Sequence, residues 1–171
     1  MKVIIITGTP GTGKTTIAKI LAEKLNYKYI DGNEVIKKHN LKESFDKKMD
    51  CYVIDEKLFS KAVIDEIKSL KTKSKERISG VIIDSHLSQF IPAKYVDLCV
   101  VTKCSLKILE SRLKKRGYKK SKVRENMDAE IFDVCRIEAL ENGHEVVVVD
   151  TSAKEGYDEG MNNIDEFLER K

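Results

Sequence analysis

The 171-residue sequence contains no tryptophan, only two prolines, and no arginine before Arg77. So little proline excludes proline-rich linkers and favours a compact chain. Four cysteines are present, Cys51, Cys99, Cys104 and Cys135. None forms a C-x-x-C pair or has a histidine at metal-ligand spacing, which excludes a zinc ribbon and a disulfide scaffold. They are expected to be reduced and mostly buried. No apolar run approaches the roughly 20 residues of a membrane span. Met1-Lys2 leads into the short apolar run Val3-Ile4-Ile5-Ile6 with no secretory cleavage pattern, so a soluble, cytoplasmic protein without a membrane partner is expected. No internal repeat or low-complexity segment is present.

What is there is charge. Charged residues make up 35% of the chain for a net charge of only +4, so local clustering matters more than the total. Lys114 to Arg124 holds seven basic residues and no acid. The length suits one domain over residues 1–171.

Directly after the first apolar run stands Gly8-Thr9-Pro10-Gly11-Thr12-Gly13-Lys14-Thr15, followed by Thr16 and an amphipathic stretch. This G-x-x-x-x-G-K-T text between a buried strand and a helix is a phosphate-binding loop. Glycines let successive backbone N–H groups turn inward on a polyanion, and the following helix aims its positive dipole end at the same place. Gly11 and Gly13 are therefore expected to line the phosphates of ATP. Lys14 is expected to reach the β and γ phosphates and Thr15 to ligate Mg²⁺, with the Thr16 N–H and hydroxyl near the α phosphate.

Apolar runs at residues 3–6, 27–30, 81–83, 96–101 and 146–149 alternate with helical periods, the pattern of an α/β fold with a parallel sheet covered on both faces. Ile17, Ile20, Leu21 and Leu25 form one helical stripe. Ser105 is an expected N-cap for a helix presenting Leu106, Leu109 and Leu113 and stopping near Gly117. A long helix is expected over about 121–140, burying Met127, Ile131, Val134 and Cys135. A last helix is expected over 158–170 with Ile164, Phe167 and Leu168 inward. Two segments break the alternation, about 33–55 and about 115–125. Their places suit an acceptor-binding segment and a lid.

The apolar strand 81–83 ends in Asp84, where a carboxylate can orient Mg²⁺ through its water shell. Two residues on, His86 shares its direction if the strand continues. His39 and His144 lack such a setting and are expected on the surface. Phosphoryl transfer also needs cations over the equatorial oxygens, for which arginine's fork is suited. Arg116 and Arg124 are the candidates, with Arg112 behind them. Read otherwise, the basic segment contacts RNA or an acidic partner, or its lysines are simply a solvated face.

The phosphate loop with Thr16, the run Asp84-Ser85-His86-Leu87-Ser88, and Arg116-Gly117-Tyr118 followed by Glu125-Asn126 and Ala129-Glu130-Ile131 resemble the adenylate kinase isoenzyme 6 family, most closely its archaeal members. The resemblance runs over most of the chain. It implies a three-layer P-loop NTPase fold with a five-stranded parallel sheet of order 2-3-1-4-5, a nucleoside monophosphate segment near 33–55 and a lid near 115–125. It implies a broad-specificity nucleoside monophosphate kinase that also hydrolyses ATP and acts in small ribosomal subunit maturation and pre-rRNA processing. The implied partners are platform ribosomal protein number eleven, transiently, and rRNA. Gly11, Gly13, Lys14, Thr15, Thr16 and Arg116 would bind ATP with Mg²⁺, and Asp84 and His86 would form the family's Asp-x-His pair. The family's ordinary adenylate kinase cousins carry an arginine after the metal-side strand for the AMP phosphate. Here that position offers none, leaving Lys37, Lys38, backbone or lid arginines for the task.

Three readings follow: a nucleoside monophosphate kinase, an assembly ATPase with negligible transfer to nucleotides, and a small-metabolite kinase. No Asn-Lys-x-Asp text follows any strand, which disfavours a GTPase.

Overall fold

The computed structural model describes residues 1–47, 51–73 and 78–170. Strand β1 (Lys2–Thr7) is isoleucine-rich on both of its faces and fully buried from Val3 to Thr7, so it must lie in the middle of a sheet covered on both sides. Around it stand β2 (Lys28–Asp31), β5 (Gly80–Asp84), β6 (Leu98–Lys103) and β7 (Val146–Asp150), all parallel, in the order β2-β5-β1-β6-β7. Strands β3 (Lys42–Asp46) and β4 (Cys51–Ile54) form a separate antiparallel hairpin. Counted among the sheet's own strands, the order is the expected 2-3-1-4-5.

Alternation along the strands divides the core. Ile4, Ile6, Ile82, Leu98 and Val100 meet Ile17, Leu21, Met161 and Ile164 of α1 (Lys14–Leu25) and α7 (Lys154–Glu169). Val3, Ile5, Val81, Ile83, Cys99 and Val101 meet Phe59, Val63 and Ile67 of α3 (Glu56–Lys73), Val35 and Ile36 of α2 (Gly32–Lys38), and Ala139. The result is the three-layer P-loop NTPase fold. Register brings the functional ends together: Ile6 stands beside Asp84 and Thr7 beside Val101, so the loop leaving β1 emerges next to the β5 carboxylate.

Several expectations are corrected. Segment 33–55, expected only to break the alternation, holds α2 and the β3–β4 hairpin, residues 48–50 and the Cys51 side chain lying outside the described residues. Asp55 caps α3 by accepting from the N–H groups of Lys57 (2.7 Å) and Leu58 (2.9 Å). After α4 (Leu106–Lys115), the helix expected over 121–140 is two helices, α5 (Lys120–Ile131) and α6 (Val134–Glu141). They are separated at Asp133, which adopts left-handed φ 55°. Its carboxylate accepts from Lys103 Nζ at 2.8 Å and from Arg136 Nε at i+3, and this turn lets α6 reach back over β6 and β7. Ile131 is consequently 54% exposed instead of buried. The last helix begins at Lys154, four residues earlier than expected. Ser105 occupies the N-cap position of α4, but its side chain makes no capping bond. His144 is buried, its Nε2 3.0 Å from the Gln89 carbonyl, whereas His39 is on the surface beside Glu66.

Cys99, Cys104 and Cys135 carry free thiols. Burial raises Cys99 to about 12 and Cys135 to about 11, so they are poor thiolates. No helix among the described residues is long and apolar enough to cross a membrane.

Ile82 is fully buried on β5, between β2 and β1. Ile82→Ala should cost about 2–5 kcal/mol, read as a lower urea midpoint with an unchanged slope; an unchanged midpoint would contradict this packing.

Candidate active site

The phosphate loop is held open from behind. Its carbonyls are bonded outward: Arg112 Nη1 donates to Gly11 O (3.1 Å), Thr151 Oγ1 to Thr12 O (2.7 Å) and Thr12 Oγ1 to Thr9 O (2.8 Å). With these acceptors satisfied on the protein side, the N–H groups of Gly11, Gly13, Lys14 and Thr15 find no acceptor among the described residues. Such a row of donors makes an anion nest. Gly13, at φ 97°, is also the N-cap of α1, which has neither a side-chain cap nor an acid in its first turn, so the positive helix end adds to the nest. Gly8 must be glycine, since at φ 139° a Cβ would stand 2.4 Å from Thr102 O.

Lys14 folds over this loop, donating to Gly8 O (2.8 Å) and Thr9 O (3.1 Å). Burial lowers its pKa to about 8, with nearby Arg116 pushing the same way against Asp84 and Glu130. Asp84 ends β5, buried, one carboxylate oxygen accepting from Tyr29 Oη at 3.0 Å. Burial first, then the Asp84 charge and that bond, raise the Tyr29 pKa, so it remains a donor. His86 faces the open cleft yet sits deep on its floor. The surrounding protein, then the charges of Lys14 and Lys122, lower it to about 4. It is a neutral imidazole at pH 7.

Two cavities meet at the loop. One, of about 620 Å³, runs from Gly11, Gly13 and Thr16 past Arg112 and Arg116 to Thr151, Ala153 and Tyr157. The other, of about 790 Å³, is floored by Lys14, Thr15, Asp84 and His86 and walled by Tyr52 and Ile54 of the hairpin and by Tyr118 and Asn126. Gly11, Gly13, Thr16 and Arg116 belong to both.

The structure thus brings Gly11, Gly13, Lys14, Thr15, Thr16, Asp84, His86 and Arg116 to one cleft. The Thr16 N–H bonds Gly13 O at 3.0 Å, leaving the hydroxyl to face ligand. Arg124 is not brought in. It lies on the outer face of α5, 81% exposed and 3.3 Å from both Asp128 oxygens. Lys38 pairs with Glu66 and Lys37 is exposed; neither lines the cleft. Arg112 serves behind the loop.

Three contributors went unassigned from sequence. Glu130, buried, accepts from Thr9 Oγ1 (2.7 Å) and from the Cys104 N–H (3.1 Å), tying the loop to β6 and α5. Thr151 follows the C-terminal end of β7, where sites of parallel sheets gather, and that position was the available signal. Tyr29 gave none, because its partner is distant in sequence. No group of three or more metal-binding side chains occurs among the described residues. One hydroxyl, Thr15, and one carboxylate, Asp84, suit a hard Mg²⁺ ion that takes its other ligands from phosphates and water.

The fold and the loop define a phosphate-loop domain: the AAA domain family profile matches residues 4–133. The chain is 40% identical over 168 residues to "Putative adenylate kinase" of Methanocaldococcus jannaschii, covering 98% of this chain and 89% of that one. It is 32% identical over 167 residues to "Adenylate kinase isoenzyme 6 homolog" of Caenorhabditis elegans, covering 98% and 85%. It belongs to the adenylate kinase isoenzyme 6 family. Among solved structures, shikimate kinase from Acinetobacter baumannii in complex with shikimate superposes with a TM-score of 0.59 at 18% identity, covering 100% of this chain and 95% of that one. At that identity the likeness concerns the fold.

A phosphate chain placed in the nest should restore a full charge to Lys14. Its binding near pH 8.5, about half a unit above the Lys14 pKa, should therefore take up a proton. Calorimetric titration with Mg-pyrophosphate in buffers of different ionisation enthalpy should give buffer-dependent heats that Lys14→Met abolishes. Equal heats in all buffers would contradict the placement of Lys14.

Proposed function

We propose that this protein is a nucleoside monophosphate kinase that moves the γ-phosphoryl group of ATP to an acceptor nucleotide and, more slowly, to water. The observation that carries the reading is the pair of cavities meeting at one phosphate loop. The smaller suits the donor's base and ribose and the larger an acceptor whose attacking oxygen approaches in line. The printed names of its relatives, adenylate kinase and adenylate kinase isoenzyme 6 homolog, support the same reading. On it, the whole chain works as one kinase domain, with segment 33–55 on the acceptor side and 115–125 as the lid.

Each residue has a task in that reaction. Gly11 and Gly13 donate backbone N–H groups to the phosphate chain, and the Thr16 hydroxyl faces its inner end. Lys14 leaves its own loop carbonyls to neutralise the transferring group, and Arg116 does so from the lid side. Thr15 and Asp84 would hold Mg²⁺, which would offset the negative charge of the phosphates. Phosphoryl transfer needs little covalent help, so positioning and charge stabilisation do most of the work.

His86 favours water as a second acceptor. Neutral and on the cleft floor, it can accept a hydrogen bond from a water and orient it. A nucleotide-dependent role in small ribosomal subunit maturation, with a ribosomal protein or rRNA as partner, belongs to the same proposal. The exposed lid cations Lys115, Lys119 and Lys120 support it. A pull-down that captured the partner equally with and without ATP would remove the nucleotide switch, because a ligand shifts only states it distinguishes.

Lys14→Ala should lower both activities by about 10²–10³-fold in coupled ADP-release assays over several monophosphates. Retained turnover, or no acceleration by any monophosphate in the wild type, would overturn the kinase reading. His86→Ala should reduce hydrolysis more than nucleotide transfer. Because the His86 pKa lies near 4, wild-type hydrolysis should stay flat as pH falls from about 7.5 to about 5. An inflection near 6.5, the ordinary histidine value, would contradict its neutral role.

A further inference from the structure

We propose that the acceptor's phosphate is gripped by Lys42 of the hairpin and Lys122 of the lid helix, two ammonium groups each seated on a tyrosine ring, in place of arginine. The inference rests on the kinase reading and assigns its acceptor side. The larger cavity is lined by four cationic side chains among the described residues: Lys14, Lys42, Arg116 and Lys122. Lys14 is bonded to its own loop, and Arg116 lies where the two cavities join, so both serve the donor. Lys42 and Lys122 are left on the acceptor side, one on each wall.

Their seats are built. Lys42 stands opposite Ile54 in the hairpin, and Tyr52, two residues before Ile54, shares that face. Lys42 Nζ lies 4.1 Å from the Tyr52 ring centroid, and Phe45 meets the same ring edge-on at 5.1 Å. Lys122, in the first turn of α5, places its Nζ 4.4 Å from the Tyr118 centroid. Tyr118 packs on the cluster of Leu109, Leu113 and Val123 that forms the base of the lid. The Lys122 charge is felt by His86 on the cleft floor, which puts it near the path of transfer. A ring under each ammonium reduces the freedom a lysine otherwise loses on binding.

Two point charges from opposite walls read negative charge without the fixed fork of arginine. The site therefore selects a phosphomonoester over an uncharged acceptor such as a nucleoside or sugar, and the bound anion links hairpin to lid. Glu125 and Asp84 line the same cavity and disfavour an anion placed away from the two lysines.

The test compares wild type, Lys42→Met, Lys122→Met and the two Lys→Arg variants in ATP-dependent transfer to AMP and CMP, with adenosine as the uncharged acceptor. Each Met variant should raise the acceptor KM roughly tenfold or more while the KM for ATP moves much less, and each Arg variant should recover most of the loss. Calorimetric binding of AMP to protein loaded with a non-hydrolysable ATP analogue should weaken in parallel. An unchanged acceptor KM in both Met variants, or equal use of adenosine and AMP by the wild type, overturns the assignment. If the wild type transfers to no monophosphate, the kinase reading fails separately; AMP binding then decides the lysine pair, and AMP that does not bind, or binds all variants alike, overturns it too.

Discussion

The site depends on where the phosphate loop's carbonyls point. A tight turn with several glycines has no intrinsic reason to show its N–H groups to one side. Here the opposite side is occupied: Arg112 takes Gly11 O, Thr151 takes Thr12 O, and Thr12 takes Thr9 O. Each bond contributes only about 1 kcal/mol, but together they leave the N–H row facing the cleft. Two of these anchors, Arg112 and Thr151, come from α4 and from just past the end of β7, far along the chain, so the nest is a property of the completed sheet. Glu130 adds a fourth tie through the Thr9 hydroxyl and the Cys104 N–H, which joins the loop to the helix bearing Lys122.

The same parallel sheet explains why the two cavities meet at the loop. With every strand running one way, the loops after β1, β5 and β7 all emerge at one edge. The Ile6–Asp84 register fixes the carboxylate beside the loop to within one residue. Tyr29 then holds one oxygen of Asp84, leaving the other to face the cleft. The hairpin wall is carried between α2 and α3, and the opposite wall between α4 and α5.

Strongly periodic features were legible in the sequence. The five apolar runs, the loop text and the helix stripe of Ile17 and Leu21 each announce a local structure that burial then stabilises. Less legible were features decided by single long-range polar contacts. The break at Asp133 depends on Lys103, thirty residues earlier, and no periodicity reports it. His144 looked like a surface histidine because its partner, the Gln89 carbonyl, is distant in sequence. The hairpin at 42–54 was hidden because its exposed strands are short and carry Lys42, Glu43 and Asp46 among the aromatics. The residues of contiguous motifs, Gly11, Gly13 to Thr16 and Asp84 to His86, are ones the structure gathers in one cleft, whereas the positions of Thr151, Tyr29 and Lys42 around it emerge only when separate elements are brought together.

Phosphate binding at this loop depends on the inward row of N–H groups. Amide NMR of the labelled protein during titration with ATP and Mg²⁺ addresses it directly. The Gly11, Gly13, Lys14 and Thr15 amide protons should move furthest downfield, as new charge-assisted hydrogen bonds form at those groups. If those four amides stay in place while ATP saturates the protein, the loop does not hold the phosphates and the account is wrong.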